Sequence, residues 1–91
     1  MFFTYILHSN KHGGYYIGST NNLEKRLNDH NQGIVKSTKS GIPWVVKHSE
    51  KYNTRPEAQK RELQLKSWKK RKALERLISR NRGSSTAQVG P

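Results

Sequence analysis

Residues 15–31 read YYIGSTNNLEKRLNDHN, and within this stretch one structural period gives way to another. YYIGS is aromatic and β-branched, so it reads as a strand in which Tyr16 and Gly18 share one face and Tyr15 and Ile17 the other. Asn21 or Asn22 can then cap a helix running to about His30, with Leu23 and Leu27 four residues apart toward the core. Asn31, Gln32 and Gly33 supply its stop. Arg26 and His30, at i and i+4, project from one side of that helix into the same volume.

Upstream, residues 2–8 (FFTYILH) form a second strand-like run, and SNKHGG between the two carries turn residues, which predicts a β-hairpin. Phe3, Tyr5 and Leu7 make one set of alternate positions, so Tyr5 and Tyr16 can meet on one face. Downstream, residues 34–41 read as a basic surface loop, and Pro43 opens a third strand, PWVVKHSE. TRPE at residues 54–57 matches a capping box and predicts a helix from about 55 to 66.

The apolar stripe of that helix runs Ala58, Leu65, Trp68, and Glu62 falls on it or, with helical drift, at its rim. A carboxylate there is costly to desolvate without a positive partner, whether an Arg or Lys or a divalent cation. Trp68, Leu74, Leu77 and Ile78 predict a last helix, strongly basic at its start. Residues 82–91 have no apolar periodicity and read as a disordered tail. The expected architecture is one α+β domain over residues 1–81, a small, mainly antiparallel three-stranded sheet flanked by helices in the order β-β-α-β-α-α.

With 91 residues and 31% apolar content, the chain has room for one domain and one modest core. The absence of cysteine excludes disulfides and thiolate zinc sites. No apolar run approaches the roughly 18 residues of a membrane span, and the first residues do not resemble a signal peptide, so a soluble cytoplasmic protein is expected. Net charge is +12. Residues 55–82 carry 11 basic against 3 acidic residues, so they supply +8 of it. Such charge favours a polyanionic partner, nucleic acid ahead of an anionic membrane surface, because the basic segments lack a broad apolar face.

Taken together, TYIL at residues 4–7, a gap of ten residues after Tyr5, YIG at 16–18, R-x-x-x-H over 26–30 and a later helical glutamate resemble the GIY-YIG nuclease superfamily, in particular its small bacterial stand-alone proteins. The resemblance spans about residues 2–78. It assigns Tyr5 and Tyr16 to the two motif tyrosines, Arg26 to the helix arginine, His30 to the residue one turn later and Glu62 to the metal-binding carboxylate. Phe3 and Thr4 stand where Gly and Ile give the motif its name, and the asparagine that several members carry beyond the glutamate has no match.

The resemblance implies phosphodiester hydrolysis dependent on one divalent cation, Mg²⁺ or Mn²⁺, held by Glu62. Arg26 would place a fixed positive fork on the phosphate. Tyr5 or Tyr16 would take the proton of the attacking water, and since a phenol has a reference pKa near ~10, positive charge or a relay must assist it. His30 would be that relay or would position the phosphate. Gly18 would let the backbone turn closely into the helix. Lys36, Lys39, Lys66, Lys69, Lys70, Arg71 and Lys72 would track phosphates without reading sequence. The substrate implied is DNA ahead of RNA, selected by structure or through a protein partner, with a role in DNA repair or recombination. A second reading is a non-catalytic nucleic-acid-binding protein that keeps the fold.

Overall fold

The computed structural model describes residues 1–68 and 70–84, with side chains described through residue 80. Its elements follow the expected order: β1 (Phe2–Ser9), β2 (Tyr15–Thr20), α1 (Leu23–Asn31), a 3-10 helix (Lys36–Gly41), β3 (Trp44–Tyr52), α2 (Arg55–Ser67) and α3 (Arg71–Ser84). The strands form one antiparallel sheet in the order β2-β1-β3, so β1 is central and both neighbours are edges.

Local chemistry sets the boundaries. Asn22 caps α1 by accepting from the Lys25 backbone N–H, and Gly33 follows the helix at φ +79°, a conformation other residues rarely adopt. Thr54 and Glu57 form both halves of the capping box that opens α2, with Pro56 in its first turn. The Ser9 hydroxyl accepts from the backbone N–H groups of Lys11 and His12, at 3.1 Å each, and so shapes the hairpin turn.

Alternation along the strands divides the core in two. On one face Ile6 and Ile17 pack with Leu65 of α2 and Leu74 and Ile78 of α3, flanked by Tyr15, Trp68 and Leu77. On the other, Tyr5, Leu7 and Trp44 pack with Tyr16, Leu23, Leu27, Ile42 and Val46. The sheet is therefore a middle layer, with α1 and the 3-10 helix on one side and α2 and α3 on the other. Thr4 Oγ1 ties the sheet to α2 by donating to the Ala58 carbonyl at 2.7 Å.

Three expectations need correction. Residues 34–41 are not simply a surface loop, because residues 36–41 form the 3-10 helix and bury Thr38 and Gly41. That segment is tied down by Trp44 Nε1, which donates to the Thr38 carbonyl at 2.7 Å, and by Ser9 Oγ, which donates to the Gly41 carbonyl at 2.6 Å. Trp68 caps the C-terminal end of α2 rather than starting α3, since its φ and ψ are extended and its N–H bonds back to the Leu65 carbonyl at 3.1 Å. The last helix runs through Ser84, three residues past residue 81. The rest of the expected tail, residues 85–91, lies outside the described residues.

Candidate active site

The register pairs Tyr5 with Gly18 and Leu7 with Tyr16. Tyr5 and Tyr16 therefore share a face as diagonal neighbours. The Tyr5 ring lies over Gly18, where an added Cβ would meet its hydroxyl oxygen at 2.5 Å and Tyr16 Cε2 at 3.3 Å. This corrects the role expected of Gly18: its missing side chain makes space for a phenol, and no positive φ or turn into α1 is involved.

His30 completes the cluster. It is fully buried at the end of α1, and the Tyr16 ring lies 4.9 Å from it, centroid to centroid. Its Nε2 is 3.4 Å from the Tyr5 hydroxyl, and its Nδ1 is 2.7 Å from Thr38 Oγ1. One tautomer satisfies Val35, Thr38 and Tyr5 at once, and it is the one assigned here. Thr38 donates its single hydroxyl proton to the Val35 carbonyl at 3.3 Å, so its oxygen accepts from His30 Nδ1–H. His30 Nε2 is then the acceptor facing the Tyr5 O–H.

Burial first, then the charge of Arg26, lowers the His30 pKa below its usual value, while Asp29 works weakly the other way. His30 is accordingly a neutral acceptor at neutral pH. Burial raises the pKa of Tyr5, itself only 1% exposed, and Arg26 pulls it down in part. Arg26 remains half-buried, with Nη1 3.9 Å from Asp29. Tyr16 is also half-buried, and no described residue is within hydrogen-bond reach of its hydroxyl.

Glu62 approaches from the opposite face of the sheet, at the same edge strand. Ser19, the residue after Gly18, donates its hydroxyl to Glu62 Oε1 at 2.7 Å. Lys66, one turn further along α2, donates from Nζ to Oε2 at 2.7 Å. The carboxylate is thus on the inward stripe, one of the two positions its spacing allows, and its partner in this structure is a lysine. No group of three or more His, Cys, Asp or Glu side chains able to hold a metal occurs among the described residues. A single carboxylate still fits a hard divalent cation that keeps most of its waters, because Ser19 holds one oxygen and, among the described residues, the other is paired with Lys66, whose side chain is 47% exposed.

The basic residues are spread over the molecule. Lys36 and Lys39 are exposed on the 3-10 helix, and Lys70 and Lys72 are exposed at the start of α3. Arg71 is paired with Glu75 at 2.9 Å and lies 4.7 Å over the Tyr15 ring. Lys66 belongs to the Glu62 pair, and Lys69 lies outside the described residues.

Sequence reasoning missed Thr38, Ser19 and a second polar cluster. In that cluster Glu50 accepts from His48 Nε2 at 2.7 Å, from the Tyr52 hydroxyl at 2.6 Å and from Arg61 Nε and Nη2 at 2.9 and 3.1 Å. Burial alone would raise the Glu50 pKa, but these hydrogen bonds outweigh it and bring it down to about 2. Burial, then the bond to Glu50, pushes the Tyr52 phenol up to about 12. Alternate positions 48, 50 and 52 were the available signal, since they put three polar side chains on one strand face.

The model of the GIY-YIG catalytic domain matches residues 1–75. The chain is similar to a UPF0213 protein of Bacillus licheniformis, 39% identical over 79 residues (86% of this chain and 79% of that one). A UPF0213 protein of Listeria welshimeri is 39% identical over 83 residues, covering 90% of this chain and 91% of that one. One of Bacillus velezensis is 37% identical over 86 residues, covering 93% and 85%. No solved structure matches the chain. A domain model spanning most of the chain, together with relatives alike over most of their length, shows that the chain belongs to the GIY-YIG family.

Proposed function

We propose that this protein is a divalent-metal-dependent endonuclease that hydrolyses phosphodiester bonds in DNA. The observation that carries this reading is the convergence of both motif tyrosines, His30 and Arg26 on one face of the sheet, with Glu62 held from the other face by Ser19 of β2. GIY-YIG nucleases generally use a divalent metal, and Glu62 would hold Mg²⁺ or Mn²⁺ here. Bound there, the cation would supply electrostatic stabilisation of charge on the phosphate and leaving oxygen.

The protein's own groups divide the remaining work. Arg26 binds and orients the scissile phosphate through its non-bridging oxygens. Tyr16 is better placed than Tyr5 to take the proton of the attacking water, because it is half-buried with an unengaged hydroxyl. Tyr5 is sealed under the fold and already donates to His30. Tyr5 and His30 form a neutral hydrogen-bonded pair that fixes the wall on which Tyr16 and the phosphate rest. Lys36, Lys39, Lys70 and Lys72 supply sequence-independent phosphate contacts. Selectivity for substrate structure, a role in repair or recombination and a cytoplasmic location complete the proposal.

A second reading, a nucleic-acid-binding protein without turnover, is favoured by one observation: Lys66 already occupies a Glu62 oxygen. One experiment separates the two. Labelled single-strand, duplex, flap, junction and RNA substrates are incubated with Mg²⁺, Mn²⁺ or chelator, with Glu62→Ala in parallel. Metal-dependent cutting that disappears in the variant supports the nuclease. Salt-sensitive binding without cutting supports the second reading.

A further inference from the structure

A groove of about 390 Å³ lies between the end of α2 and one stripe of α3, away from the tyrosine cluster. Its lining is Trp68, Lys70, Ala73, Arg76, Leu77 and Arg80. On α3 these residues recur at i, i+3, i+4 and i+7, a spacing that normally buries a helix face. Here the stripe is apolar only at its floor. Trp68 and Leu77 rest partly on the core cluster, while Lys70, Arg76 and Arg80 are exposed around the rim.

None of those three cations has a carboxylate partner among the described residues. Trp68 is set in place rather than loose. Arg61 lies 5.5 Å over its ring and is pinned by two hydrogen bonds to Glu50. A half-buried indole beside cations without carboxylate partners has the chemistry of an aromatic platform for a base, with cations for the flanking phosphates.

We infer that this groove binds an unpaired nucleobase, stacked against Trp68 with its neighbouring phosphates on Arg76 and Arg80, so that the protein engages single-stranded nucleic acid on the Glu62 side of the sheet. The inference rests on the nucleic-acid reading above and narrows its substrate class. Arg76 and Arg80 lie one helical turn apart, roughly 5–6 Å at Cβ, so their long side chains can reach two neighbouring phosphates of one strand. Glu62 lies six residues before Trp68, about 9 Å along the axis of α2, so a few nucleotides span the distance from groove to carboxylate. A solvated basic face would need no indole, and an acidic peptide would not use a flat aromatic floor.

The test is binding to the intact chain in chelator, repeated on Glu62→Ala so that no turnover contributes. The probes are a labelled dT12 strand, an abasic strand of the same length and charge, the equivalent duplex and poly-glutamate. The expected result is quenching of Trp68 emission, assigned with Trp68→Phe, and dT12 binding about tenfold tighter than the abasic strand. That ratio should fall to near one in Ala73→Gln, which fills the groove. In Arg76→Gln/Arg80→Gln the dependence of log K on log salt should flatten by roughly 0.7 per cation removed. If Ala73→Gln fails to fold, the double arginine variant carries the test.

Equal affinity for dT12 and the abasic strand overturns the inference, as does poly-glutamate binding as well as dT12, or a ratio untouched by the folded variants. Base-dependent binding by a protein that never cuts leaves the groove assignment standing and overturns the nuclease reading alone.

Discussion

The Tyr5 phenol crosses Gly18 so closely that a Cβ at position 18 would sit 2.7 Å from Tyr5 Cζ. The ring has nowhere to retreat, because it is buried against Leu7 and Trp44 on the α1 side of the sheet. One missing side chain therefore holds the Tyr5–His30 pair in position.

Gly18→Ala should destabilise the fold by about 1–3 kcal/mol through overpacking and displace Tyr5 from His30. Chemical denaturation measures the first effect. Adding Tyr5→Phe should recover part of the loss, since the closest clash is with the hydroxyl. Fully additive single and double variants would contradict this account.

Lys66→Met should strengthen Mn²⁺ binding. The Lys66–Glu62 pair competes for the same oxygen, and an ion pair this exposed is worth about 0–1 kcal/mol, so the gain expected is up to about fivefold. Calorimetric titration of Mn²⁺ reads it directly. Glu62→Gln should abolish the heat in both backgrounds.

Thr38→Val should leave the buried His30 Nδ1–H without an acceptor, at a cost of about 1–3 kcal/mol. Its signature is in proton NMR of the ring. In the parent protein the Nδ1–H tautomer should dominate and titrate below the ordinary histidine value, as burial and Arg26 require. In the variant the tautomer preference should weaken. Because the folded-state pKa is lowered, the unfolded chain takes up this proton first, and stability from this group falls as pH drops below about 6.5.

Glu50 governs a more acidic window. Its folded pKa of about 2 lies below its ordinary value of 4.5, so its contribution is complete above that value and is lost as pH falls toward about 2. At about 1.4 kcal/mol per pK unit, the loss amounts to a few kcal/mol. Glu50→Gln should flatten the acid limb of a Tm-against-pH curve and lower Tm at neutral pH.

Local chemistry made the elements legible from sequence. Alternation placed Tyr5 and Tyr16 on one face, Asn22 and the Thr54–Glu57 box marked helix starts, and the i, i+4 spacing brought Arg26 and His30 to one side. Each of these depends on residues within a few positions of one another. The position of Glu62 on the inward stripe or at its rim was legible for the same reason, because a helix repeats its face every three to four residues, and the bond from Ser19 decided between them.

What only the tertiary structure decided depends on partners carried by different elements. Thr38 reaches His30 because the 3-10 helix folds under α1, and Ser19 meets Glu62 across 43 positions. Arg61 meets Glu50 from another element, and Trp68 turns from a helix-face residue into the floor of a groove. Hydroxyls, single cations and a capping aromatic leave no periodic trace in a sequence. Their roles exist only once sheet order and register bring the elements together, so the sequence determined which residues could form the site and the packing determined what each of them touches.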